Sequence, residues 1–174
     1  MDDRGSDFAV YEYKSITVKR DMVEIYEDCY KSFGWRYEGR RPSMSPVTSV
    51  DMKFKRDRRI LNKMELTRLQ RQFEGHMNEI SKLEMSKSIA SSVVAYIVGI
   101  VGTAFMAGSV MSITAERIPL SIILAIPAII GWVLPYFLYK SIYNRKESEV
   151  TPLVEQHYDE IYEICEKANT LCYK

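Results

Sequence analysis

Two long apolar runs, separated by a short segment that contains Glu116, constrain this chain more than any other feature. The first run covers residues 88–113 and the second covers residues 119–139, and neither contains a charged residue. The hydrocarbon core of a bilayer is about 30 Å thick, and an α-helix needs about 20 apolar residues to cross it. Both runs meet that length, and the connection between them is short. We therefore predict an antiparallel hairpin of two transmembrane helices.

Basic residues flank the predicted hairpin at its two outer ends. Lys82 and Lys87 precede the first run, and Lys140, Arg145 and Lys146 follow the second. Lysine and arginine are enriched in loops on the cytoplasmic side of a membrane. The sequence thus predicts a multi-pass protein of the inner or plasma membrane with both termini in the cytoplasm.

The residues before the hairpin follow a β-α-β-β pattern. Residues 8–18 are rich in β-branched and aromatic side chains, residues 21–31 carry apolar side chains at helical spacing, and Gly34 ends that helix. A short strand is expected from Trp35 onward, and apolar and charged residues alternate over residues 50–54 as in a half-buried strand. We therefore predict a small N-terminal α/β domain.

Three short motifs in this region resemble a family of very small uncharacterised bacterial domains. They are Tyr-Glu-Tyr-Lys in the first strand, Gly-Trp after the helix and Lys-Phe-Lys-Arg in the third strand. The resemblance covers residues 1–58 and implies the same β-α-β-β order. The whole chain is also similar to uncharacterised two-span hairpin membrane proteins of Gram-positive bacteria. Neither resemblance implies catalytic residues.

Two amphipathic segments continue the hairpin on its cytoplasmic side. Their apolar residues recur at alternating steps of three and four, which is the heptad pattern of a coiled coil. The seam residues are Leu66, Leu69, Phe73, His76, Ile80 and Leu83 in the first segment and Val154, His157, Ile161, Ile164, Ala168 and Leu171 in the second. We expect the two segments to pair as an antiparallel stalk, which makes the fold class a mainly α membrane protein.

The predicted organisation has six parts. They are an α/β domain at 1–59, a stalk helix at 60–87, a transmembrane helix at 88–113, an external turn at 114–118, a second transmembrane helix at 119–143 and a C-terminal stalk helix at 144–174. A basic cluster at the end of the third strand, around Arg56, is interpreted as a charged strand end.

The two histidines of the chain fall on seam positions at similar predicted height. His76 and His157 are weak candidates for a metal or pH-sensing site, because imidazole titrates near neutrality. A zinc site needs about four ligands, so we favour a structural layer that fixes the helix register. Arg71 and His76 also fit an arginine–histidine spacing that resembles a superfamily of helical ribonucleases, which implies RNA cleavage by that pair.

Small residues recur every fourth position inside the apolar runs. They are Gly99, Thr103 and Ala107, then Ala104 and Gly108, and in the second run Pro127, Gly131 and Pro135. Small residues at this spacing let helix backbones approach closely. The runs lack the ionisable residues that usually mark an ion path. We interpret the stripe as packing between the two spans or between two protomers, and a pore lining as the alternative.

Apart from the Arg71–His76 pattern, the sequence offers few signals of an enzyme. It contains no glycine-rich phosphate loop and no Gly-x-Ser-x-Gly elbow, so no catalytic residue and no cofactor are assigned. Of the three cysteines, Cys165 and Cys172 lie one heptad apart and are interpreted as packing residues. Charge is nearly balanced, with 24 basic and 23 acidic residues, which argues against a nucleic-acid partner.

The leading hypothesis is a non-enzymatic membrane scaffold or adaptor that self-associates in the lipid bilayer and receives an unknown cytoplasmic protein. The residues expected to contact that partner, on an exposed loop side, are Trp35, Tyr37, Arg40 and Arg41. The alternative is a homo-oligomeric channel with Glu116 near the pore mouth. A third hypothesis is a membrane-tethered ribonuclease that uses Arg71 and His76.

Overall fold

The computed structural model describes residues 10–42, 48–114 and 118–172, and it is mostly helical with a small sheet. The elements are β1 (Tyr11–Lys19), a 3₁₀ turn (Arg20–Met22), α1 (Val23–Ser32), β2 (Arg36–Pro42), β3 (Ser49–Asp57), α2 (Lys63–Thr114) and α3 (Ile118–Cys172). The chain divides into two compact units. We call residues 1–77 with 158–174 the sheet unit, and residues 78–157 the hairpin unit.

The three strands form one antiparallel sheet in the order β1-β3-β2. β3 is central, and its Met52 pairs with Ile16 of β1, whereas Phe54 pairs with Tyr37 of β2. Side chains of a strand alternate between the two faces, so Val50, Met52 and Phe54 all point to one face, where they are buried. The predicted β-α-β-β order and the alternation in the third strand are confirmed.

Gly34 ends the first helix, as the sequence predicted. Its φ is +80°, and its backbone N–H donates to the Lys31 carbonyl over 3.0 Å. Glycine adopts this left-handed conformation without a steric penalty. A Cβ at this position would also collide with the Ile60 side chain and lie 3.2 Å from Cys172 Sγ. The turn after α1 therefore requires glycine for two reasons.

An aromatic cluster forms the core of the sheet unit. Tyr30 of α1, Phe33 directly after α1, Phe54 of β3 and Phe73 of α2 are almost completely buried. The ring centroids of Tyr30 and Phe54 are 4.6 Å apart, and those of Phe33 and Phe73 are 5.8 Å apart. Burying such a side chain contributes about 1.5–3 kcal/mol, so these rings stabilise the packing of helices on the inner face of the sheet.

The predicted heptad seam is buried within the sheet unit. The seam residues of this unit with less than one-tenth of their surface exposed are Leu66, Leu69, Phe73, Ile161, Ile164 and Ala168. The helices run antiparallel, since Asn62 Nδ2 donates to the Leu171 carbonyl over 3.4 Å while His76 Nδ1 lies 3.0 Å from a Glu160 carboxylate oxygen.

The hairpin unit is an antiparallel pair of helix segments with small residues between them. Gly102 of α2 faces Gly131 of α3, and nearer the connection Ser109 Oγ donates to the Ser121 carbonyl over 2.9 Å. Both α2 and α3 contain a segment long and apolar enough to cross a membrane. α3 is continuous through three prolines.

Candidate functional site

The outer surface of the hairpin unit is apolar and exposed. Only 11% of the residues in the most apolar window of α2, and 11% of those in α3, are buried. Ile100 is 68% exposed, Ile123 is 65% exposed and Phe137 is 61% exposed. A core helix of a water-soluble protein is mostly buried, so this surface is suited to contact with an apolar environment.

The interior of the hairpin is lined by glycine, serine and alanine. A Cβ on Gly131 would lie 2.6 Å from Gly102 Cα, and a Cβ on Gly102 would lie 2.9 Å from the Gly131 carbonyl carbon. Ser109 and Ser121 hydroxyls are 3.0 Å apart in a buried position. Ala128 is completely buried. The helix backbones therefore approach so closely that larger side chains do not fit at the crossing.

The predicted stripe of small residues divides between two faces. Gly131 lies at the crossing, Pro127 is half-buried, and a Cβ on Gly108 would lie 3.4 Å from the Leu124 side chain. Residues of the stripe that face away from the other helix are Thr103, Ala104 and Ala107, which are exposed, and Gly99, where an added Cβ would meet nothing within 4 Å.

Sequence reasoning missed Gly102, the residue of α2 at the crossing. The signal that would have found it is a seven-residue period rather than a four-residue one. Ala95, Gly102 and Ser109 recur every seventh position, and so do Ser121 and Ala128 on α3. A period near seven keeps the same face of a helix toward its partner.

Gly99 and Thr103, two stripe residues that face away from the other helix, line a groove on the hairpin surface. The groove has a volume of about 750 Å³ and is lined by Ser92, Ala95, Tyr96, Gly99, Ile100, Thr103, Trp132, Pro135, Tyr136 and Tyr139. Its small residues on α2 are Ala95, Gly99 and Thr103, and its aromatic residues on α3 are Trp132, Tyr136 and Tyr139. The groove is therefore lined mainly by apolar and aromatic side chains.

Trp35, expected on an exposed loop side, is instead part of the core. It is 6% exposed, its Nε1 donates to Gln70 Oε1 over 2.9 Å, and the Arg56 guanidinium carbon lies 4.5 Å from its ring centroid. Tyr37 packs against Phe54 with ring centroids 5.6 Å apart. Its hydroxyl is buried and has no hydrogen-bond partner among the described residues. Trp35 is therefore buried and Tyr37 half-buried, and their contact with a partner stays a prediction.

Other predicted contact and pore residues are only partly described. The backbones of Arg40 and Arg41 belong to β2, whereas their side chains lie outside the described part of the structure. Glu116, the predicted pore-mouth residue, lies outside the described residues. The pore hypothesis therefore stays a prediction.

A buried arginine anchors a polar network in the sheet unit. Arg56 is 4% exposed, its Nε donates to Glu12 Oε1 over 2.6 Å, and its Nη1 donates to the Phe33 carbonyl over 3.3 Å. Lys63 Nζ donates to the other Glu12 oxygen over 2.7 Å. Burial raises the pKa of Glu12, but the hydrogen bonds from Lys63 and Arg56 outweigh it, so the pKa lies below its usual value.

A second network surrounds Glu74. Its Oε1 accepts hydrogen bonds from the Tyr30 hydroxyl over 2.7 Å and from Gln70 Nε2 over 2.8 Å, and it pairs with Lys14. Burial raises the Glu74 pKa, yet the bonds from Lys14, Gln70 and Tyr30 lower it further than burial raises it. Burial and the bond to Glu74 raise the pKa of Tyr30. Each charge has its counter-charge, as in a structural network.

The two residues of the ribonuclease hypothesis face different directions. Arg71 is exposed on a surface with Lys63 and Arg68, whereas His76 contacts Glu160 of α3. His157 belongs to the hairpin unit, where its proximity is one of the smaller effects that lower the Glu79 pKa, after the hydrogen bond and charge of Lys82. The histidine-layer hypothesis stays a prediction.

Two cysteines from distant parts of the chain lie in the sheet unit. Cys29 of α1 and Cys165 of α3 line the same groove. Cys172 lies apart from them, beside Gly34. Heptad spacing groups Cys165 with Cys172, and no local pattern in the sequence connects Cys165 to Cys29.

Comparisons of the chain with protein families, with curated proteins and with solved structures find no match.

Proposed function

We propose that this protein is a non-enzymatic scaffold whose hairpin crosses a lipid bilayer and anchors the sheet unit at the membrane. The observation that carries this proposal is the exposure of the two apolar helix segments, of which only 11% is buried in each. Soluble monomers rarely expose contiguous apolar patches larger than a few hundred Å². Lipid around the hairpin removes that surface from water.

The charge distribution supports an orientation with the sheet unit in the cytoplasm. Lys82 and Lys87 precede the span in α2, and Lys140, Arg145 and Lys146 follow the span in α3. Basic residues near span ends remain on the cytoplasmic side. The sheet unit, formed by both ends of the chain, then lies on that side, where it receives a cytoplasmic protein.

Self-association through the groove on the hairpin completes the proposal, with a second copy of the chain as the occupant. In lipid, helices associate where small residues allow close packing. Gly99 and Thr103 line the groove; Thr103 is exposed, and the space around Gly99 is open. These residues are not used by the crossing inside one protomer, so they remain available to a second hairpin.

The test is the mass of the protein in lipid nanodiscs, compared between wild type and Gly99→Leu. Inside one protomer no atom lies within 4 Å of the added Cβ, and the rest of the leucine side chain would occupy the groove. We expect a wild-type dimer that becomes a monomer in Gly99→Leu. Val110→Leu, which adds bulk at a 57% exposed position outside the groove, is the matched control and should remain dimeric.

Other outcomes separate the proposal from its alternatives. A protein that leaves the membrane fraction in alkaline carbonate contradicts the membrane anchor. A wild-type monomer contradicts self-association but leaves the anchor in place. A ring of about five or more protomers would enclose a pore and favour the channel, which would then be tested by conductance and by Glu116→Gln.

A further inference from the structure

The sheet of the sheet unit has one edge without the usual protection against pairing, at β1. β3 is the central strand, so β1 and β2 are the two edge strands. The register of β2 shifts between Tyr37 and Gly39, and the strand ends at Pro42, which has no N–H to donate. Bulges and prolines protect sheet edges from pairing with other chains. β1, in contrast, is nine residues long, contains no proline and pairs with β3 in unbroken register from Tyr11 to Lys19.

The backbone groups of alternate residues in β1 point away from β3. The Arg58 N–H donates to the Val10 carbonyl over 3.0 Å. The Arg20 N–H donates to the Thr48 carbonyl, also over 3.0 Å. Residues that bond to the same neighbour alternate along an antiparallel strand, so the even-numbered residues of β1 bond to β3 and the odd-numbered ones direct N–H and C=O outward. We define the β1 edge as Tyr11, Tyr13, Ser15 and Thr17. All four are exposed, and no described strand pairs with β1 on that side.

We propose that the β1 edge pairs with the β1 edge of a second copy of the chain, antiparallel about a two-fold axis at Ser15. Two three-stranded sheets then form one continuous sheet. Addition of a strand to an exposed edge is a common mode of recognition, in which the main-chain hydrogen bonds supply the affinity. A contact about a two-fold axis uses the same surface on both copies, so β1 must be complementary to itself.

The order of the side chains makes β1 complementary to itself in this register. All nine residues find a partner, and no two like charges lie directly opposite each other. Besides Ser15 with itself, the opposed pairs are Tyr11 with Lys19, Glu12 with Val18, Tyr13 with Thr17 and Lys14 with Ile16. A shift by two residues in one direction would place Lys14 opposite itself, and like charges directly opposite are destabilising. A shift in the other direction would leave Tyr11 without a partner in the strand.

The charge nearest to the axis is neutralised within its own protomer. Lys14 pairs with Glu74 of α2, so two lysines do not bring unpaired charge to the new contact. Aromatic and β-branched side chains that lie opposite each other, as Tyr13 and Thr17 do here, stabilise paired strands.

This inference rests on the self-association in the proposed function. Two isolated strands pair only weakly in water, so the edge contact needs a second contact that holds the copies together. The hairpin groove supplies it, because linking two binding surfaces raises the effective concentration at the second one. Gly99→Leu, which blocks the groove, should therefore remove both contacts.

The test is oxidative cross-linking of the full-length protein in nanodiscs, with the three native cysteines replaced by serine. Ser15→Cys places two thiols opposite each other at the axis. The Cα atoms of such a hydrogen-bonded pair are about 5.5 Å apart, within the range of a disulfide. Thr17→Cys is the matched control on the same exposed face, since its Cα atoms would be about 14 Å apart in this register. We expect a covalent dimer from Ser15→Cys and at least about 10-fold less from Thr17→Cys alone. Mixing the Thr17→Cys and Tyr13→Cys proteins should restore the bridge.

Amide hydrogen exchange of the wild-type protein in nanodiscs needs no variant. With the edge paired, the amides of Tyr13 and Ser15 should exchange within about 10-fold of the even-numbered amides that bond to β3. Exchange of these two amides at the rate of an unfolded peptide would overturn the proposal.

The outcomes separate the edge contact from the hairpin contact. A dimeric mass without a Ser15→Cys bridge overturns the edge contact alone, whereas a monomeric mass overturns the hairpin contact and the edge contact with it. Equal bridging by Ser15→Cys and Thr17→Cys would contradict the antiparallel register. Slow exchange without a bridge would mean that a different segment covers the edge, and the second copy would then be excluded as its occupant.

Discussion

Replacing Gly131 with alanine is the sharpest test of the helix crossing in the hairpin unit. The new Cβ would lie 2.6 Å from Gly102 Cα and 3.2 Å from the Gly102 nitrogen. Carbon atoms in favourable contact are about 3.5–4.0 Å apart, and these neighbours are backbone atoms that cannot rotate away. The two helices must therefore separate by roughly 1 Å, and such overpacking costs about 1–3 kcal/mol.

Gly99→Ala provides the matched control on the same pair of helices. Inside one protomer its Cβ meets nothing within 4 Å, so within the hairpin only the intrinsic preference for alanine over glycine in a helix acts there, about 1 kcal/mol in favour of alanine. The same preference applies to Gly131→Ala. The difference between the two variants isolates the steric cost of the crossing.

The reconstituted protein is unfolded with increasing SDS. Helix pairing is monitored by disulfide cross-linking between Ser109→Cys and Ser121→Cys in a variant that lacks the native cysteines. The two serine hydroxyls are 3.0 Å apart, so cross-linking reports on helix pairing close to the crossing. We expect Gly131→Ala to lose cross-linking at lower SDS than Gly99→Ala. Identical SDS midpoints for the two variants would refute the close approach of the backbones.

Three further predictions concern the polar groups of the sheet unit. Arg56→Ala should lower the free energy of unfolding by about 1–3 kcal/mol in chemical denaturation, because it removes the buried guanidinium that bonds to Glu12 and to the Phe33 carbonyl and leaves that carbonyl unsatisfied; an unchanged midpoint would show that these bonds do not contribute to stability. The Glu12 pKa is lowered in the folded state from a usual value of 4.5, so its contribution to stability is complete above that value and is lost as pH falls through the lower folded pKa. Glu12→Gln should therefore weaken the acid sensitivity of the thermal midpoint, and an identical acid profile would contradict this assignment. His76→Leu should change stability by less than about 1 kcal/mol, since the His76–Glu160 pair is partly exposed; a much larger loss in thermal unfolding would indicate a ligand at His76.

The periodicity of apolar residues was sufficient to predict the strands and helices of this chain. The alternation of Val50, Met52 and Phe54 predicted a strand with one buried face, and Gly34 predicted the end of α1. The heptads predicted which faces of the helices are buried in the sheet unit. These features depend on backbone geometry within a few residues, which the local order of apolar and polar side chains reflects directly.

The candidate sites depend on contacts between residues far apart in the sequence, which local sequence patterns do not reveal. Arg56 was interpreted as part of a charged strand end, but its position two residues after Phe54 places it on the inner face, where Glu12 neutralises it. Trp35 was expected on an exposed side, but it is buried. Gln70 accepts the hydrogen bond of its indole N–H, and the Arg56 guanidinium lies over its ring; both residues come from other segments of the chain.

By itself, the sequence determined the two apolar helices, the small β-α-β-β arrangement and the faces that become buried, because each follows from periodicity along one segment. Only the tertiary structure decided that Gly102 meets Gly131, that Gly99 faces outward, and that Cys29 and Cys165 line one groove. A four-residue period and a seven-residue period of small residues coexist on α2, and the sequence alone does not say which faces α3. That choice depends on the shape of both helices at once, since close packing allows only one pair of faces to interlock.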